Sequence, residues 1–313
     1  MNMTRIDTLH VPGASLYYEV RGRGPVLLLI GAGAADAASF NGIATHLADR
    51  YTVVSYDRRG YARSPLDHPE EEQRIETHSD DAHRLLAILS TEPAYVFGSS
   101  GGAKIGLDLA IRHPEQLHTL VAHEPPVMEL LPEAERPIMG LPPDAGRPRT
   151  PLDNLQKFRE ILGVSYDDRE PDAELPYESP ETKARLAANR AFLVTYEATM
   201  YPRYTLDIVA LSATPTRIVI AAGQASRGHF PHRVATLLAE RLGTAVVEFP
   251  SHHAGYVSHP RAFAEQLRNC SARKLERKAW YQRGANPAHL DANDNTNFEQ
   301  SDWQVAPGEG LLG

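Results

Sequence analysis

Cysteine is nearly absent from this chain of 313 residues, where Cys270 stands alone. A lone thiol excludes an internal disulfide, a Cys-based zinc site and a CxxC redox pair, and a reducing, cytoplasmic setting is expected. A surplus of basic charge is also missing: 40 acidic residues face 32 basic ones, leaving a net charge of -8. That balance gives neither nucleic acid nor an anionic membrane surface a footing, so neither is an expected partner. Long apolar runs are lacking too. The longest, VLLLIGAGAA from Val26 to Ala35, is about half of the roughly 20 residues a membrane span requires. The first residues, MNMTRIDTLHVPG, have neither the basic nor the apolar region of a secretory signal and alternate like a strand, so export is not expected.

What is present is a regular alternation. Ile6 to Val20 alternates with period two around Pro12 and Gly13, the pattern of a hairpin, and Arg21 to Gly24 then turns the chain. Val26 to Ile30, Tyr51 to Tyr56, Ala94 to Phe97, His118 to Ala122, Ile218 to Ala222 and Ala245 to Phe249 are short apolar runs without polar alternation. Strands buried on both faces read this way. Helical patterns lie between them: His78 to Ser90, Gly101 to His113, and a stretch with Pro231 at its start and Gly243 just past its end. Strand and helix in turn predict an α/β fold, a mostly parallel sheet flanked by helices, with ligands at the carboxyl ends of the strands.

The alternation breaks between 125 and 213. Prolines 132, 137, 142, 143, 148 and 151 forbid a long helix, and an acidic loop follows at Asp167. This stretch is expected to form an inserted helical cap lobe on the core. The core itself comes in two parts, 1–124 and 214–270, and helical pieces of the lobe are expected around Leu155 to Leu162 and Thr182 to Tyr201. Beyond Cys270 the sequence turns polar and irregular, apart from SARKLERKAW, which suits a helical turn or two. The 271–313 tail is expected to be disordered or to serve as an arm on a second copy in a homodimer.

Two adjacent serines follow the Ala94 to Phe97 run, in Gly98-Ser99-Ser100-Gly101-Gly102. A serine exposed on a tight strand-to-helix turn needs glycine two residues before and two after it, because strand and helix backbones pass too closely there for a Cβ. Ser100 meets that requirement, whereas Ser99 would place Phe97 at the first position. Ser100 is therefore the candidate nucleophile. A hydroxyl is weak at neutral pH and requires a general base, in practice one of the 14 histidines.

Four stretches together resemble the α/β-hydrolase fold family: Val26 to Ala34, Tyr56 to Ser64, Gly98 to Gly102, and Phe249 to Tyr256, within a resemblance over roughly residues 6 to 270. The resemblance implies an eight-stranded sheet and a base just after the last strand, at Pro250-Ser251-His252-His253-Ala254-Gly255. Spacing to Gly255-Tyr256 is similar to the family's G-H-x-G-Y pattern and favours His253 over His252, with His259 as a helix-start residue. The acid that fixes the imidazole tautomer commonly follows the seventh strand, but no Asp or Glu occurs between Asp207 and Glu240. The family's other location, the end of the sixth strand, holds Glu124, followed by two prolines expected to keep the backbone extended. Glu129 is the next choice. Oxyanion donors are expected at Gly101 and at Ala32 or Gly33, where the family usually has His-Gly. This triad pattern is similar to that of the fungal zearalenone lactonases, which implies a serine hydrolase acting on an ester or lactone. The lobe's composition suggests a small, largely apolar substrate.

No cofactor and no metal is expected. Gly31 to Asp36 with Asp57 could begin a dinucleotide fingerprint, but Asp36 takes the place of its third glycine and would face a pyrophosphate. His78, Asp80, Asp81 and His83 do not share the i, i+4 spacing of paired ligands, and the acids suit a helix's first turn. A further alternative keeps the fold without hydrolysis, as a ligand receptor, a lyase or a cofactor-free oxygenase.

Overall fold

Alternate residues of the apolar runs go to opposite faces of one sheet, and each face is buried. Leu28, Ile30, Val54, Val96, Leu120 and Ile220 belong to one cluster, Leu27, Leu29, Val53, Phe97, Val121 and Val219 to the other. Period two combined with burial on both sides leaves no polar position, which is why these runs lack alternation. The computed structural model describes residues 4–136 and 172–282 apart from Ala32, Glu70, Tyr177 and Thr199, with side chains described as far as Ser271. Met1–Ala272 form one compact unit.

The strands are β1 (Arg5–Val11), β2 (Ala14–Gly22), β3 (Val26–Ile30), β4 (Thr52–Tyr56), β5 (Ala94–Ser99), β6 (Leu117–His123), β7 (Arg217–Gly223) and β8 (Val247–Phe249). They form an 8-stranded sheet in the order β1-β2-β4-β3-β5-β6-β7-β8. β1 and β2 make the expected hairpin, and β2 is antiparallel to β4; all remaining pairs are parallel. From β3 the chain goes outward to β4 and then returns to β5 on the other side. A crevice therefore opens at the carboxyl ends of β3 and β5, where ligands bind in such sheets.

Helices α1 (Asn41–Leu47), α2 (Ile75–Leu89) and α3 (Gly101–Arg112) connect the first parallel strands. Between β6 and β7 lie α4 (Pro180–Phe192), α5 (Met200–Arg203) and α6 (Ile208–Ala213). After β7 come α7 (Phe230–Arg241), α8 (Gly255–Ser258) and α9 (Pro260–Gln282). α4 is well started, with Ser179 accepting from Thr182 N–H and Pro180 in the first turn. No described helix is long and apolar enough to cross a membrane.

Three local expectations change. The helix foreseen from His78 begins at Ile75, so Asp80 and Asp81 fall beyond its first turn. Asp81 is instead held by Arg59 through two bonds of 2.7 and 2.8 Å. The helical piece foreseen from Thr182 to Tyr201 is broken by a π-helical turn, Leu193–Glu197, closed by Ala198 N–H donating to Leu193 C=O at 2.8 Å. The SARKLERKAW stretch continues α9 from Pro260 rather than forming a separate turn. The piece foreseen around Leu155 to Leu162 lies outside the described residues.

Close approach at the crevice explains the glycines. A Cβ on Gly98 would collide with Gly102 C=O and Ala103 Cα, and one on Gly102 with the carbonyl oxygens of Ile30 and Gly31. Those obstacles are backbone and cannot yield. Gly102→Ala is expected to cost about 3 kcal/mol. Gly243→Ala, at φ +63 with nothing within 4 Å, is expected to cost about 1 kcal/mol of backbone strain. Urea denaturation of the two variants checks this, and equal losses would refute the close-packing account.

Candidate active site

β5 ends at Ser99, and Ser100 turns the chain into α3 with φ 52 and ψ -120. That conformation is rare for a residue with a side chain and costs of order 1–3 kcal/mol. The turn holds because its polar groups are taken: Ser100 N–H donates to His123 C=O at 2.8 Å, and Ser100 C=O accepts from Ala103 and Lys104 N–H at 2.9 and 3.1 Å. Ser99 is fully buried and its hydroxyl has no partner among the described residues. Ser100 is half-buried, so of the two it is the one that is accessible. Gly101 opens α3, whose N-terminus favours developing negative charge.

Pairing of β5 with β6 brings Ser99 opposite His123, and Glu124 follows directly. Glu124 N–H donates to Ala221 C=O at 2.9 Å, which extends the β6–β7 ladder by one bond and fixes where the carboxylate starts. The prolines after it do not hold it extended, as foreseen: Glu124 has φ 49. Turned out of the strand in this way, its Oε2 meets His253 Nδ1 at 2.5 Å and its Oε1 accepts from Gly223 N–H at 2.9 Å. Burial alone would raise the carboxyl's pKa. The bond from His253, the fields of His123 and His253 and the Gly223 N–H outweigh burial and lower it to about 2. An ionised carboxylate only accepts, so Nδ1 of His253 carries a proton, and in the neutral ring Nε2 is then the nitrogen with the lone pair. That is the tautomer a general base requires.

His252 points elsewhere, its Nδ1 accepting from Ala254 N–H at 3.2 Å. His259 sits just before α9, against Ser258 Oγ at 2.9 Å and Asp172 Oδ1 at 3.2 Å. Glu129 is away from the imidazole, 3.6 Å from Lys104 Nζ and accepting from Leu206 N–H at 3.1 Å. Of the two loop positions named as oxyanion donors, Gly33 has φ 35 and gives its carbonyl to Arg58 Nη2 at 2.6 Å, while Ala32 lies outside the described residues.

The acidic residues of the competing readings, and His83, have other partners. Asp57 is fully buried, accepts from Ala37 N–H at 2.8 Å and takes Arg63 on both oxygens at 2.7 and 2.9 Å, so it has no room for a ribose. Asp36 caps a short 3-10 turn and binds Arg185 at 2.8 Å. Asp80 pairs with Arg112 at 2.7 Å and His83 bonds Gln116 at 2.8 Å, so with Asp81 on Arg59 the supposed metal cluster is dispersed.

Sequence reasoning missed Gly223 and His123. Gly223 had a signal, a glycine closing an apolar run: a Cβ there would press on Ser251 C=O at 2.6 Å, so only glycine lets the histidine loop come near. His123 reads as the last residue of a strand. Its ring lies 6.4 Å from His253, among Phe97, Phe249 and Phe263, and neither nitrogen has a hydrogen-bond partner among the described residues. Burial lowers its pKa, Glu124 pulls it up, and His253 and His252 push it down, with the balance at about 4.

These values fix a pH dependence. His123 stays neutral when folded but takes a proton near pH 6.5 when unfolded, so stability is lost as pH falls from about 6.5 to 4, by about 3 kcal/mol in all. Glu124, depressed when folded, contributes stability that is present above about pH 4.5 and lost as pH falls toward 2. His123→Phe, in an aromatic surround, is expected to reduce the slope of the upper limb only, the remainder coming from buried His78, whose pKa burial also lowers. Denaturation midpoints between pH 7 and 4 check this, and an unchanged slope would refute it.

The family model described as the alpha/beta hydrolase fold matches residues 25–161. Uncharacterized hydrolase YraK of Bacillus subtilis (strain 168) is 45% identical over 269 residues, covering 83% of this chain and 93% of that protein. Zearalenone hydrolase of Bionectria ochroleuca is 24% identical over 268 residues, covering 83% of this chain and 96% of that one. Among solved structures, the N-acyl homoserine lactonase AidH aligns with TM-score 0.64 and 16% identity over 87% of this chain and 97% of its own, a likeness of fold alone. With 45% identity across nearly all of one relative, and the sheet and turn geometry described above, the chain belongs to the α/β-hydrolase fold family.

Proposed function

We propose that this protein is a serine hydrolase that cleaves a carboxylic ester or lactone through an acyl-enzyme on Ser100. The observation that carries the proposal is the 2.5 Å bond from His253 Nδ1 to a buried carboxylate, which leaves Nε2 free to take a proton. In this mechanism Ser100 Oγ attacks the carbonyl carbon as its proton passes to His253 Nε2. The carbonyl oxygen becomes an oxyanion beside Gly101 N–H and a second backbone donor of the 31–33 loop, each contributing about 10²–10³ in rate. His253 then gives its proton to the leaving alcohol, and water repeats the sequence to release the acid. Glu124 orients the imidazole and stabilises its cation without taking the proton.

The segment 125–213 is read as a cap over the crevice. Leu193 faces Gly33, Phe192 faces Gly60 and Tyr201 faces Gly101, which supports that role. The apolar and aromatic content of the segment favours a largely apolar substrate, and similarity to a zearalenone hydrolase supports an ester or lactone.

A fluorophosphonate probe followed by peptide mapping is expected to label Ser100 and to lose that label in Ser100→Ala. Labelling at another residue, or none, would overturn the mechanism. Glu124→Gln keeps the shape but loses the charge that fixes the tautomer, and is expected to lower kcat on an aryl ester by about 10²–10⁴ in a folded protein.

A further inference from the structure

A buried polar cluster joins the segment between β6 and β7 to both sides of the crevice. Arg58, Tyr61 and Glu197 are fully buried and Tyr201 nearly so. Glu197 Oε2 accepts from Arg58 Nη1 at 2.8 Å and from the Tyr61 hydroxyl, and Oε1 accepts from the Tyr201 hydroxyl. Arg58 and both phenols meet the two oxygens of this one carboxyl group, and Arg58 brings the opposite charge to it. Burial first, then Glu197, raises the Tyr201 phenol well above its ordinary pKa, so it keeps its proton.

The two ends of this cluster reach the two expected sources of oxyanion donors. Arg58 Nη2 holds Gly33 C=O at 2.6 Å. The Tyr201 hydroxyl lies so close to Gly101 that a Cβ there would collide with it. That hydroxyl has committed its proton to Glu197, so it cannot itself donate to an oxyanion; its contact with Gly101 is one of close packing. Tyr201 is fixed at its other end as well, by Lys104 Nζ donating to its carbonyl at 3.1 Å from within α3.

Anchoring alone does not call for such a cluster. Asn189 already ties the same segment to the core, donating to Ala34 C=O at 2.9 Å and accepting from Ala62 N–H at 2.8 Å, and Arg185 binds Asp36. A buried ion pair is also often no more stabilising than apolar side chains of like volume. What the cluster adds is a rigid link from Gly33 through Arg58 and Glu197 to Tyr201 and Gly101. The π-helical turn makes the link possible by ending at Glu197, four residues before Tyr201.

We infer that Tyr201 and Glu197 are positioning residues for the oxyanion hole, so that the site is complete only with the segment between β6 and β7 in place. The inference rests on the serine-hydrolase reading above. Tyr201→Phe keeps the ring and the ion pair and removes only the hydroxyl. In the full-length chain it is expected to lower kcat on an aryl ester about ten-fold to a hundred-fold, with KM within about two-fold. Labelling of Ser100 by the fluorophosphonate is expected to slow in parallel, since that adduct forms through the same hole. Glu197→Gln is expected to give the same split and serves if Tyr201→Phe does not fold. Parent-like kcat and labelling rates, or a change in KM alone, in a folded variant would overturn the inference. Failure of the parent to label at Ser100 would instead overturn the hydrolase reading on which it rests.

Discussion

The bond between Glu124 and His253 demands that a carboxylate stay ionised in a dry interior, and much of the surrounding structure serves that demand. Burial works against it, and three kinds of contribution offset burial: the imidazole proton, the field of neighbouring histidines and the N–H of Gly223. Each requires a particular backbone path. Glu124 must leave its strand at φ 49, Gly223 must have no side chain, and the histidine loop must pass directly over it. His123 beside it, driven down by its own burial to a pKa of about 4, lends its field to the carboxylate only once it is protonated at lower pH.

Such geometry is costly, and the cost is concentrated. Among the described non-glycine residues only Ala62, Ser100, Glu124 and Ser251 have positive φ, and the last three stand at the ends of β5 and β6 and just before His253. Strain of this kind persists only where the surroundings over-determine it. In this protein the surroundings are a sheet buried on both faces, whose ladder runs to the strained residues themselves. Ser100 N–H and Glu124 N–H both donate to carbonyls of neighbouring strands.

Most of the sheet was legible in the sequence because burial on both faces leaves uninterrupted apolar runs. The tight turn at Ser100 was legible from sterics, and the collisions that Cβ atoms on Gly98 and Gly102 would meet supply the reason. Glu124 was singled out because the family resemblance implies an acid after β7 or after β6, and the loop after β7 has none. The conformation of Glu124 was not legible: two following prolines suggest an extended residue, and tertiary bonding to Ala221 and Gly223 overrides them. The cluster around Glu197 was invisible for another reason. Arg58 and Glu197 stand 139 positions apart, and nothing local in YEATMY marks a carboxylate that the fold will bury. A π-helical turn likewise leaves no period by which to recognise it.

If Glu124 serves as proposed, placing the acid after β6 has a consequence for descent. What β7 contributes to the site is a backbone N–H, from Gly223, and a backbone group is indifferent to the side chains that follow it. The 3-10 turn Gln224–Ser226 and the residues leading to α7 are thus released from the role that a carboxylate there would impose. Selection can vary that loop in length and character while the dyad stays intact, whereas the glycine itself admits no substitute. In lineages that keep the acid at this place, position 223 is where drift should be least tolerated and the loop after it where it should be most.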